Sequence, residues 1–180
     1  MPVTTLSETT LKAGDTGADV KELQQLLNEY SLPITLTVDG IFGPTTKRAV
    51  TNFQFTYFLM QDGIVGPKTR SVLLKGGVSH LPILRRGDHG MLVKRVQQVL
   101  SLGSKISPLN TIQTIAGTRG FYFGPIDGDF GPMTENAVKA FQRLPVTHQQ
   151  QPLSSIDGIV GEETWNTLII LTDIILHAGR

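Results

Sequence analysis

An all-α fold of two tandem three-helix repeats is predicted by three observations in this chain of 180 residues. First, the phrase Asp39-Gly40-Ile41-Phe42-Gly43-Pro44 returns as Asp127-Gly128-Asp129-Phe130-Gly131-Pro132, and shorter forms begin at Asp62-Gly63 and Asp157-Gly158. Self-similarity of this kind marks a repeated architecture. Second, the segments beside these phrases carry apolar residues at helical spacing. Third, the landmarks keep their order in both halves. Gly14 and Gly87 are 73 apart (87 − 14), Asp39 and Asp127 are 88 apart (127 − 39), and Asp62 and Asp157 are 95 apart (157 − 62). Growth of the offset between helices, with the helical landmarks retained, is what loops tolerate. Very short strands within the loops are compatible with this plan.

The elements follow in order. Residues 1–10 are polar and Thr-rich and are expected to form a flexible arm; the first repeat is expected over 11–77. Gly14 and Gly17 mark a turn, and Asp19 suits a helix start because the helix dipole favours an acid there. Val20, Leu23, Leu26 and Leu27 then line one face, with Glu22, Gln24 and Gln25 on the others. Residues 34–38 alternate and are β-branched, which would suit a short strand. In the Asp39-Gly40 turn the carboxylate accepts nearby N–H groups and the glycine adopts positive φ. Gly43-Pro44 opens the second helix, since the N–H that proline lacks has no helical partner in a first turn. Ala49, Val50 and Phe53 form its inner side. Asp62-Gly63 and Gly66-Pro67 repeat the device before a third helix carrying Val72, Leu73 and Leu74.

A linker over 78–83 leads to the second repeat, expected over 84–176 with longer inter-helix loops. Val93, Val96, Val99 and Leu100 repeat the first apolar face, and Gln97-Gln98 repeat Gln24-Gln25. The first loop is 15 residues longer (88 − 73), with the extra length between Leu102 and Tyr122. A further 7 residues (95 − 88) fall around Pro145 to Ser155. Asp127-Gly128, Phe130 and Gly131-Pro132 repeat the turn and helix start.

Composition narrows the chemistry. The net charge is +1 and there is no cysteine. Thiol catalysis is excluded, and no basic run points to nucleic acid. No apolar stretch is long enough to span a bilayer as a helix. Residues 1–10 lack the features of a secretory signal. His80, His89, His148 and His177 form no short-range metal motif, and no nucleophile elbow is present. No catalytic residue, metal or cofactor is therefore expected.

The ordered residues Leu11, Gly14, Gly17, Val20, Leu23-Gln24, Leu27, Asp39-Gly40, Phe42-Gly43-Pro44, Thr46, Ala49-Val50, Phe53-Gln54, Asp62-Gly63, Val65-Gly66-Pro67 and Thr69 resemble the peptidoglycan-binding domain found beside bacterial cell-wall hydrolases. The second half carries the same resemblance from Leu84 through Thr164-Trp165, departing at Arg85-Arg86, at Val96, and at Gly161-Glu162 in place of Gly-Pro. Arg70 stands where the second repeat has Trp165. The resemblance implies non-catalytic binding of cell-wall peptidoglycan, through its glycan, its stem peptide or both. It also implies targeting or anchoring of an attached or partner hydrolase, in an extracellular, periplasmic or wall-associated setting. The alternative is a structural or protein-interaction domain that keeps the fold without binding the wall.

A binder of peptidoglycan needs aromatic faces for sugars and polar donors for amides and carboxylates. The candidates are Tyr122 and Phe123 before the third Asp-Gly turn, Tyr30 after the first helix, and Arg48 and Arg119 as carboxylate partners. Tyr122 is expected to be partly exposed. Gln54 and Gln142 have two open roles, ligand contact or satisfaction of a turn's backbone groups, with the turn favoured. Asp39, Asp62, Asp127 and Asp157 are read as turn residues, and Phe42 and Phe130 as plugs in the core.

Overall fold

The computed structural model describes residues 6–30, 32–102, 121–144 and 152–178. Among them are six helices: α1 (Ala18–Glu29), α2 (Pro44–Thr56), α3 (Pro67–Lys75), α4 (Met91–Leu102), α5 (Pro132–Gln142) and α6 (Glu162–Ala178). The fold is all-α, in two sets of three helices. The chain divides into two compact units, Met1–Gly77 and Val78–Arg180.

In the first unit, α1 buries Val20, Leu23, Leu26 and Leu27, the four residues of its apolar stripe. α2 buries Ala49, Val50 and Phe53, and α3 buries Val72 and Leu73. Phe42, 1% exposed, plugs the core from the turn before α2. The Tyr30 ring meets Phe53 edge-on at 4.8 Å. Both α2 and α3 begin at a proline behind a glycine in extended conformation. The proline sits where a helical N–H would have lacked a partner.

The short strand expected over 34–38 does not form. Its backbone instead pairs with a side chain. Asn28 donates to the Leu36 carbonyl at 2.9 Å and accepts from the Leu36 N–H at 2.8 Å. One amide thus supplies both bonds that a neighbouring strand would offer. Among the described residues, strand-like pairing takes the form of isolated bridges, Leu11 with Val65 and Thr16 with Ile41 in the first unit. The second unit repeats them as Leu84 with Val160 and His89 with Asp129.

Residues 6–10, expected to belong to the arm, are tied to the first unit. Leu6 is buried in its core. Ser7 donates to Asp19 at 2.5 Å, and the Arg70 guanidinium donates to the Thr9 carbonyl. The second unit makes the same strap with different chemistry: the Trp165 indole donates to the Pro82 carbonyl at 2.8 Å. Thr9 and Pro82 are related by the offset of 73 (82 − 9), and Arg70 and Trp165 by the offset of 95 (165 − 70).

The second unit buries Val93, Val96, Val99, Leu100, Phe130 and Phe141 at equivalent positions. Its last helix runs for 17 residues, against 9 in α3. Most of the extra loop length, residues 103–120 and 145–151, lies outside the described residues. Among the described residues no helix is long and apolar enough to cross a membrane.

Candidate functional site

Each of the four Asp-Gly turns is gripped by a glutamine from the helix before it. The Gln24 amide on α1 donates to Asp39 Oδ1 at 2.8 Å, to the Ile41 carbonyl at 3.2 Å and to Thr46 Oγ1 at 3.1 Å. Its oxygen accepts the Gly40 N–H at 2.8 Å. Gln54 on α2 does the same to Asp62, Ile64, Thr69 and Gly63. Gln97 on α4 grips Asp127, Asp129, Thr134 and Gly128. Gln142 on α5 grips Asp157, Ile159, Thr164 and Gly158. The glutamine joins one helix to the turn and to the first turn of the next helix. All four side chains are 1% exposed or less, so their donors and acceptors must be met inside the protein.

Gln54 and Gln142 commit both ends of their amides to the turns. Gln24, placed by its spacing on an outer face of α1, is a buried polar residue instead. Its cost of burial is offset by partners on the turn and on α2. The signal was present in the sequence: Gln24, Gln54, Gln97 and Gln142 each follow a core residue, namely Leu23, Phe53, Val96 and Phe141. A threonine also stands seven residues after each turn aspartate (46 − 39, 69 − 62, 134 − 127, 164 − 157).

The turn glycines are shaped by the same grip. Gly40 has φ of 77°, and a Cβ there would lie 2.9 Å from Lys21 Cγ and 3.1 Å from the Gly17 carbonyl. The carboxylates respond to their donors. Asp39 is held below the usual carboxylate range, chiefly by the Gln24 amide and then by the Ile41 N–H. Asp127 is lowered by the Asp129 N–H first and Gln97 second. At Asp157 burial pushes upward, and the Ile159 N–H and Gln142 together outweigh it, so the net shift is downward. Hydrogen bonds to the ionised form stabilise the charge.

The aromatic candidates separate. Tyr122, expected to be partly exposed, is 5% exposed. Its hydroxyl donates to the Pro125 carbonyl at 2.6 Å and accepts from Gln97 at 3.1 Å. Burial raises its phenol above the ordinary value, so it remains a donor. The ring lies under Gly124, where a Cβ would fall 2.6 Å from the Tyr122 oxygen. Phe123 is the residue that faces outward, at 63% exposure. It sits on a loop braced from beneath by Tyr122, with exposed Ile126 and Met133 close in sequence to the same turn. By the offset of 88, the first unit has Thr35, Val38 and Thr45 at these positions.

Tyr30 is half-buried, and its hydroxyl donates to the Leu73 carbonyl at 2.7 Å, with the Val72 carbonyl at 3.2 Å. It lines an open cavity of about 470 Å³ between the last turns of α1 and α3. Arg48 is exposed on α2. Arg119 and His148 lie outside the described residues. Among the described residues no three His, Asp or Glu side chains gather as a metal site.

A family model described as a peptidoglycan binding domain matches residues 16–73 and 118–168, one segment in each unit. The N-acetylmuramoyl-L-alanine amidase CwlL of Bacillus licheniformis is 32% identical over 166 residues, covering 87% of this chain and 44% of that protein. The zinc D-Ala-D-Ala carboxypeptidase of Streptomyces albus G is 46% identical over 61 residues, 33% of this chain and 24% of that protein. Among solved structures, the N-terminal domain of SleB is 41% identical with a TM-score of 0.37, covering 39% of this chain and 96% of that one. The chain thus spans less than half the length of the Bacillus licheniformis relatives it matches.

Proposed function

This chain belongs to the peptidoglycan binding domain family, and from that premise we propose that it binds cell-wall peptidoglycan without cleaving it and brings an attached or partner wall hydrolase to that substrate. The observation that carries this reading is the presence of one family segment in each unit. The state of the turn carboxylates supports the non-catalytic part. A general acid for glycoside cleavage needs a raised pKa. Asp39, Asp127 and Asp157 are instead lowered by donors that serve the fold. The targeting part draws on the relatives named as an amidase and a carboxypeptidase, of which this chain covers a minority.

In the second unit the contact surface is Phe123, with Ile126 and Met133 beside it in sequence. An exposed aromatic face on a braced loop loses little freedom on meeting the C–H face of a sugar. In the first unit Arg48 is an exposed cation available to a carboxylate.

Co-sedimentation with insoluble purified peptidoglycan tests the proposal. The folded chain is expected in the pellet, and Phe123→Ala is expected to weaken binding by roughly five-fold, the equivalent of about 1 kcal/mol for one aromatic contact. Folded protein left entirely in the supernatant rejects wall binding. Release of soluble muropeptides on prolonged incubation rejects the non-catalytic assignment.

A further inference from the structure

The cavity in the first unit is a site of different chemistry from the Phe123 loop. Its walls are Leu26, Glu29 and Tyr30 from the end of α1, and Leu73, Leu74 and Lys75 from the end of α3, with Gly76 behind. Its volume, about 470 Å³, lies within the range of about 300–1,000 Å³ usual for small-ligand sites. Leu26 and Leu73 are buried beneath the cavity, Leu74 is 41% exposed beside them, and the accessible lining is more polar than apolar. Two helices end here, and helix C-termini carry partial negative charge that favours a cation. Glu29 adds a full negative charge at the rim. Lys75 adds one positive charge, and neither side chain has a salt-bridge partner among the described residues. The Tyr30 hydroxyl is spent on the Leu73 and Val72 carbonyls, so the ring is fixed as a wall.

The second unit does not rebuild this chemistry. By the offset of 73, Glu29 corresponds to Leu102; by the offset of 95, Leu74 and Lys75 correspond to Ile169 and Ile170. Moreover α6 continues to Ala178, past the point equivalent to the end of α3, so of the two helix ends only that of α4 has a counterpart there.

We infer that this cavity takes an aliphatic chain ending in an α-amino acid group, an ammonium and a carboxylate on one carbon, such as the free end of a diaminopimelate residue in a stem peptide. The ammonium lies against Glu29 and the two helix ends. The carboxylate lies against Lys75. The methylenes lie on Leu74 and the Tyr30 ring. This rests on the reading of the chain as a peptidoglycan binder and names the part of the polymer that the first unit recognises.

The test uses the full chain, labelled with nitrogen-15 and titrated with the stem tripeptide L-Ala-D-Glu-meso-diaminopimelate. A second titration uses the same tripeptide with L-Lys in the last place, which keeps the amine and lacks the distal carboxylate. Amide shifts at Glu29, Tyr30, Lys75 and Gly76 are expected with the first peptide, and weaker binding with the second. Glu29→Gln and Lys75→Met each lie on an exposed rim, and each is expected to weaken the first peptide by about three- to five-fold, the scale of a single exposed ion pair. Absence of shifts at these amides, with co-sedimentation retained, overturns the cavity assignment and leaves wall binding standing. Equal affinity for the two peptides, or no effect of Lys75→Met, overturns recognition of the carboxylate. Failure to bind either peptide or whole peptidoglycan overturns both proposals.

Discussion

The two units share an interior and differ at the surface. Four glutamine clamps of one geometry, four strand-like bridges and two straps recur at fixed offsets. Outside them the units diverge. The first has a charged cavity at two helix ends, and the second has a longer last helix and an exposed phenylalanine on a braced loop. Duplication of the joints with divergence of the faces means that the joints specify the fold and leave the faces free to take different ligands. The difference at position 70 or 165 is instructive. An arginine and a tryptophan make the same bond to the same backbone position, so the bond is what the fold requires there.

The comparison breaks most sharply at the clamps. Gln97→Leu strips the Gly128 N–H, Thr134 and Tyr122 of a buried partner. At roughly 1–3 kcal/mol for each unmet buried group, a loss of about 3–5 kcal/mol is expected. Trp165 is the chain's one tryptophan and belongs to the second unit. Its fluorescence should therefore melt at a lower temperature in this variant. Gln24→Leu should destabilise the first unit by a similar amount, seen as early loss of helical circular dichroism.

Tyr122→Phe sharpens the contrast, because this hydroxyl joins the clamp only in the second unit. It removes one bond from Gln97 and one to Pro125. A cost of about 1–2 kcal/mol is expected in the tryptophan melt. Peptidoglycan binding should also fall if the brace beneath Gly124 positions Phe123, and a variant that melts early yet binds fully would separate the brace from the contact.

Acid gives the smallest and most evenly shared effect. Asp39, Asp127 and Asp157 have folded pKa values below their unfolded values. Their contribution to stability is therefore present above the unfolded carboxylate range, near pH 4, and is lost as pH falls through the lower folded values. Both units should lose stability below about pH 4 in urea melts, and Asp127→Asn should flatten that dependence in the tryptophan signal of the second unit.

Most of the fold was legible because its parts are local. Helical spacing, Gly-Pro starts and Asp-Gly turns each act within a few residues, and their recurrence supplied the domain plan. The clamps were only half legible. Gln54 and Gln142 stood out beside phenylalanine, whereas Gln24 was assigned outward because hydrophobic periodicity treats every glutamine as polar surface. Its partners Asp39 and Thr46 are 15 and 22 residues away, and periodicity carries no information at that range. Tyr122 was expected to be the exposed ring and Phe123 is the one that faces solvent, since alternation of two adjacent rings between core and solvent depends on the loop path. The cavity was invisible for the same reason. Glu29 and Lys75 belong to helices separated by α2, and only packing brings their ends to one place.

The clamps also make the intervening loops spare length. The distance in sequence from clamp glutamine to turn aspartate is 15, 8, 30 and 15 residues, with the same bonds made each time. Doubling a loop costs only about 0.6 kcal/mol in closure entropy. Such a joint behaves as a socket that reads its two ends and ignores what is spliced between them. A foreign peptide inserted between Thr37 and Val38, both exposed and beyond the Leu36 that Asn28 holds, would be displayed on a scaffold that keeps its clamp, which makes the module a carrier for engineered recognition loops.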